Sequence, residues 1–189
     1  MSDGKPLRAD AARNRARVLE VAETLFAERG TAVSTEEVAR AAGVGIGTVF
    51  RHFPTKTALL EAVFTGSLRR LAQEAEGLES AADPGGAFFG FFARIVRQSA
   101  TKRAVADALA EAGGDVGRAH AEVGADLRGA LERLLRRAQQ ARAVRDDIGV
   151  AEVMALLVGA SGAAERAGAD PLVRDRALEV VMDGLRPRL

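Results

Sequence analysis

Cysteine, tryptophan and tyrosine are all missing from this 189-residue chain, and each absence excludes something. Without cysteine there is no disulfide framework, no thiolate nucleophile and no zinc–thiolate site. Two histidines, His52 and His120, stand too far apart in sequence to suggest a histidine-based metal cluster. Eight Phe are the whole aromatic complement, and no run of β-branched residues exceeds two, so propensity favours an all-helical chain. The longest apolar stretch, Val153 to Ala164, falls well short of the roughly 20 residues that cross a bilayer. The N-terminus, MSDGKPLRADAARNRARV, is charged and lacks an apolar signal core. No paired carboxylates, nucleophile–base pair or metal-ligand spacing demands catalysis. These absences predict a soluble cytoplasmic protein that is not an enzyme and carries no metal or cofactor. The net charge of +1 says little, because the distribution of charge matters more.

What is present is helix punctuation. Val18, Val21, Ala22, Leu25 and Phe26 recur at helical spacing and predict a first helix from about Ala11 to Arg29, closed by Gly30. Ahead of that stripe, Lys5, Arg8, Arg13, Arg15 and Arg17 outnumber Asp3 and Asp10. They form either a solvated arm or one that meets a phosphate backbone. Val33-Ser34-Thr35-Glu36-Glu37-Val38 combines a capping box, Ser34 with Glu37, and a hydrophobic staple, Val33 with Val38. Gly43 stops that helix early, and a second short helix runs from about Gly45 to His52, ended by Pro54. Thr55 caps a longer helix from Lys56 to about Glu79. Further helices are expected from FFGFFARIV to about Ala112 with a bend near Ser99 to Arg103, then from about Arg118 to Arg142, Val150 to Ala167 and Pro171 to Leu185. About nine helices result.

The stretch GVGIGTVFRHF, Gly43 to Phe53, admits two opposed readings. Alternate glycines suggest a phosphate cradle, but the dinucleotide fingerprint needs a third glycine, a preceding strand and a full-length helix. Here Thr48 stands at the third position, a capped helix precedes, and Pro54 ends the next helix after about two turns. The P-loop pattern fails as well, since no glycine precedes Lys56-Thr57. Two short helices joined at a glycine describe a helix-turn-helix, whose second helix enters the DNA major groove. Gly45 and Gly47 weaken an isolated helix by nearly 1 kcal/mol each, a cost that close approach to DNA would explain. Ile46, Val49, Phe50 and Phe53 fall at i, i+3, i+4 and i+7, so they also read as an ordinary core stripe. Thr48, Arg51 and His52 have equally plain readings as helix-surface or helix-end residues.

Residues 14 to 64, NRARVLEVAETLFAERG…STEEVARAAGVGIGTVFRHFPTKTALLEAVF, resemble the DNA-binding domain of the TetR family of transcriptional regulators. Ala100 to Leu109, ATKRAVADAL, is similar to regulators with an SbtR-like C-terminal domain. The resemblance implies a helix-turn-helix DNA-binding domain over residues 1–55 and a helical effector-binding and dimerisation domain over 56–189. It implies phosphate contacts at Ser34, Thr35 and Lys56, a base-facing turn at Gly45, Ile46, Gly47 and Thr48, and groove-wall contacts at Phe50, Arg51 and His52. Phe50 replaces the family's usual Tyr, and Ile46 stands where a polar residue is common. An apolar contact with a thymine methyl is open to Ile46.

In the C-terminal half, Phe88, Phe89, Phe91 and Phe92 either fill a core or line an effector cavity. The resemblance implies a pocket among the middle helices, with Phe92, Ile95, Val96, Val123, Leu127 and Met154 as candidate lining. His120 is either a polar contact in that pocket or an exposed residue at a helix start. The last two helices combine small residues, Gly159 and Gly162, with Leu156, Val158, Val173, Leu178, Val181 and Leu185. They read as a dimer surface or as monomer core, and the family pairs these helices across a two-fold axis. The expectation is a homodimeric repressor of a near-palindromic double-stranded DNA operator, released by a small-molecule effector. The alternative is a helical small-molecule-binding or protein-interaction module without specific DNA readout, which Glu36 and Glu37 beside the DNA face keep open.

Overall fold

A computed structural model describes the backbone at residues 4–114, 116–166 and 170–187, and side chains there except at 4–9, 100–101, 116, 118–120, 122 and 164–166. Among the described residues there are nine α-helices and no strand. They are α1 (Gly4–Arg29), α2 (Thr35–Ala42), α3 (Ile46–His52), α4 (Lys56–Leu78), α5 (Pro84–Arg97), α6 (Ser99–Glu111), α7 (Val116–Gln140), α8 (Val150–Arg166) and α9 (Pro171–Gly184). The all-helical expectation holds, and most boundaries fall within a residue or two of those read from the sequence. One exception is α1, which begins at Gly4 rather than near Ala11. Pro6 then lies in the first turn, where its missing N–H breaks no helical bond. The expected bend after FFGFFARIV is a single residue, Gln98, and the Ser99 hydroxyl donates to the carbonyl of Val96 at 2.8 Å beside it.

The chain forms two compact units, one of residues 1–67 and 101–120, the other of residues 68–100 and 121–189. In the first, α1 packs on α2 and α3, and α2 packs on α3. Val18, Ala22, Leu25 and Phe26 of α1 are buried with Val38, Ala39 and Ala42 of α2 and Val49 of α3. In the second, α5 and α9 both pack on α8. Phe88, Phe91 and Phe92 are fully buried there, with Leu131, Leu134 and Leu135 of α7. Asp83 caps α5 by accepting from the Gly86 amide at 2.9 Å, and Pro84 opens the helix. The turn cluster at 83–86 is therefore a helix start.

Helix α2 is fixed at both ends. The Ser34 hydroxyl accepts from the Glu37 amide at 3.2 Å, and the Glu37 carboxylate accepts from the Ser34 amide at 2.9 Å. At the other end Gly43 takes a left-handed conformation, φ 66°, and the Val44 amide reaches back to the Ala39 carbonyl at 3.0 Å. That is the six-to-one bond of a Schellman stop.

The backbone amide of Ser34, then its hydroxyl, hold the Glu37 carboxyl below its ordinary value of 4.5. A carboxylate depressed in the folded state stabilises above its unfolded value, and the contribution is lost as pH falls through the folded value. Urea unfolding at neutral pH and well below pH 4.5 should show the wild type losing more stability on acidification than Glu37→Gln does. Equal acid losses would mean the cap does not depend on the charge.

Candidate nucleic-acid interface

Helix α3 is built from an apolar stripe that packing divides in two. Val49 is fully buried and Phe53, just past the helix, is 2% exposed. Ile46 and Phe50, one turn apart, are 37% and 42% exposed. At 3.6 residues per turn, Ile46, Phe50, Gly47 and Arg51 occupy a contiguous arc of about 140°. All four are exposed, as is the helix-capping Gly45. Thr48, His52 and Lys56 are half-buried, and the His52 ring stands 6.2 Å from that of Phe53.

Ser34 and Thr35 sit at the front of α2 with their hydroxyls engaged inside the protein. Ser34 is half-buried in its capping box. Thr35 is 8% exposed and donates to Glu36 at 3.3 Å, which turns its hydroxyl away from an open phosphate-facing position. The two acidic residues that weighed against DNA differ from each other. Glu36 is exposed, whereas the charge of Glu37 is committed to the Ser34 amide.

Two cations join this surface that the sequence placed only in a basic arm. The guanidinium carbon of Arg15 lies 5.3 Å from the centre of the Phe53 ring, within cation–π range. The guanidinium of Arg17 lies 3.5 Å from where a Cβ on Gly43 would sit. Both belong to α1 and are exposed. Their proximity to α3 follows from how α1 packs, and local sequence carries no signal of it. Arg13 instead pairs with Asp10 one turn away. The side chains of Lys5 and Arg8 lie outside the described residues.

In the second unit, Phe92, Val96, Val123 and Leu127 are buried, while Ile95 and Met154 are half-buried. The side chain of His120 lies outside the described residues. A groove of about 430 Å³ in this unit is lined by Gln139, Arg142, Val144, Arg145, Asp146, Asp147 and Pro187, none of them a candidate effector contact. On α8 and α9, Leu156, Val158 and Val173 are exposed at 39%, 69% and 53%. Gly159 is exposed, and Gly162 and Val181 are half-buried. Leu178 and Leu185 are buried at 3% and 1%, so within the protomer they are core beneath that face. Leu172 and Val180, at 80% and 60%, extend the exposed face instead. Among the described residues no group of acidic or histidine side chains could hold a metal ion, and no helix is long and apolar enough to cross a membrane.

Residues 18–63 match the family of bacterial regulatory proteins of tetR type, and residues 83–187 match the C-terminal domain of SbtR-like transcriptional regulators. An HTH-type transcriptional regulator of Staphylococcus aureus is 43% identical over 54 residues, which span 28% of this chain and 29% of that curated protein. The crystal structure of a TetR transcription regulatory protein from Mycobacterium vanbaalenii is 45% identical and superposes with a TM-score of 0.80, covering 96% of this chain and all of that one, 100%. A TetR transcriptional regulator from Streptomyces coelicolor is 32% identical with a TM-score of 0.75, covering 93% of this chain and 99% of that one. With a helix-turn-helix in its first unit and an SbtR-like match over its C-terminal half, the chain belongs to the TetR family of transcriptional regulators.

Proposed function

We propose that this chain is a cytoplasmic, ligand-responsive repressor that binds a near-palindromic DNA operator as a homodimer and is released by a small-molecule effector. The observation that carries the DNA reading is Gly47. A Cβ added there meets nothing within 4 Å, and its φ is not in the left-handed region. Neither packing nor backbone geometry in the protein requires glycine at this helical position, yet glycine costs helix stability. An external surface that must come close to the backbone supplies the missing reason. Gly43 is the opposite case, since its left-handed turn needs glycine. Around Gly47, Ile46, Thr48, Phe50 and Arg51 face the groove, while His52, Lys56, Arg15 and Arg17 meet phosphates. Ser34 and Thr35 flank the backbone from the start of α2.

The dimer reading is supported by α9, which is apolar on two opposite sides. Leu178 points inward, whereas Val173 and Val180 lie about half a turn away and are exposed. A helix apolar all round calls for cover on both faces. A second copy's α8 and α9, meeting at Leu156, Val158, Gly159 and Gly162, would provide it. The effector is taken up among Phe92, Ile95, Val96, His120, Val123, Leu127 and Met154 in the 56–189 portion. Effector binding favours a head spacing that fits DNA poorly, and by linkage DNA weakens effector binding equally.

Gly47→Ala should raise stability by up to about 1 kcal/mol and weaken operator binding, whereas Gly43→Ala should lower stability by about 1–2 kcal/mol. Urea unfolding and gel shifts on a selected operator check both. A Gly47→Ala protein with undiminished affinity would remove the argument for close approach. Arg51→Ala with Lys56→Ala should reduce operator affinity and make its dependence on the logarithm of salt concentration shallower by about two units. An unchanged slope in the folded double variant would sink the assigned surface. Val158→Asp, at a position 69% exposed, should leave the fold intact, yield monomers in sedimentation, and lose operator affinity. A variant that stays dimeric would move the interface elsewhere.

A further inference from the structure

We infer that Ile46 and Phe50 act as an apolar reading pair that selects thymine in each operator half-site by contact with its 5-methyl group. The inference rests on the reading of α3 as the DNA-facing helix and names what that helix recognises. Both side chains lack any polar atom, and both stand out from the protein, at 37% and 42% exposure. Their stripe-mates Val49 and Phe53, at 0% and 2%, take the inward half of the same stripe and hold the helix in place. Packing therefore does not account for the outer pair, although the helical spacing taken alone makes all four look like core.

Spaced four residues apart, Ile46 and Phe50 are neighbours, about 5–6 Å between Cβ atoms. Gly47 lies beside them on the exposed arc and adds no side chain to hold the groove floor away. The occupant is indicated by what surrounds the pair. Arg51 is exposed on the same arc, Arg15 sits over Phe53, and Arg17 sits at the Gly43 turn. Two apolar side chains bounded by cations are far too little apolar surface for a stable protein partner, which takes about 800 Å² per side. They suit a polyanion that offers a small apolar feature.

In the major groove each base edge presents donors or acceptors, and thymine alone adds a methyl group. Setting Ile46 or Phe50 against the N7 and O6 of guanine, or the amino group of cytosine, would strip those groups of water without giving a partner. Against thymine the same side chains bury a carbon group. The preference thus arises from attraction to one base and from a desolvation cost at the others.

The test begins with random-site selection using the full chain. Each thymine of the selected duplex is then replaced by deoxyuridine, which differs only in lacking the methyl. One or two replacements per half-site should weaken binding by about three- to five-fold each, the value of burying one carbon group. Those same replacements should have little effect on Ile46→Ala or Phe50→Ala, with folding of each variant checked by circular dichroism. A selected operator whose affinity is indifferent to every methyl would overturn the inference and leave DNA recognition by α3 standing. Methyl effects that persist at full size in both variants would do the same. Failure to select any sequence would overturn the inference together with the operator reading beneath it.

Discussion

The turn at Gly43 is the constraint on which the reading head depends. Ser34 and Glu37 fix where α2 starts, and the left-handed residue at Gly43 fixes where it stops, so its eight residues have no freedom of register. The Val44 and Gly43 amides close on the Ala39 and Arg40 carbonyls, satisfying acceptors that the helix end would otherwise leave open. The direction in which the chain leaves this turn determines which way every side chain of α3 points. With Val49 and Phe53 inward, the outward set can only be Ile46, Gly47, Phe50 and Arg51. Arg17 reinforces the same point from α1, its guanidinium lying against the turn.

Much of this was legible in the sequence because it is local. A capping box is four residues long, a Schellman glycine acts within six, and both read directly from Ser34, Glu37 and Gly43. The split of the α3 stripe was not legible. Ile46, Val49, Phe50 and Phe53 satisfy the helical period equally, and only the position of α1 and α2 decides which pair is covered. The contribution of Arg15 and Arg17 was hidden for the same reason, since it depends on packing between elements that are distant in sequence. Their basic character was visible, but the ring and the turn they meet were not.

The second unit shows a different limit. Leu178 and Leu185 could not be told from Val173 and Val180 by hydrophobicity, although the first two are buried and the others exposed. A helix that serves a protomer core on one side and a second copy on the other has no polar face to orient it. The hydrophobic pattern then says that α9 is covered but not by what. Phe88, Phe91 and Phe92 pose the converse problem, because complete burial is what a packed core requires and is equally compatible with walls around an enclosed ligand.

A helix of seven residues is far too short to be stable alone, so α3 exists because Val49 and Phe53 anchor it. Its outer face contributes almost nothing to that anchoring. Recognition and stability are therefore carried by different residues of the same two turns. Substitutions at Ile46, Gly47, Phe50 or Arg51 are free to alter what the helix reads without unfolding it. Changes at Gly43, Val49 or Phe53 disturb the presentation of the whole face. The same division explains how an apolar pair comes to be exposed next to a glycine that the protein does not need. Neither feature serves the folded state, and both become intelligible once the face is fitted to a surface outside the chain.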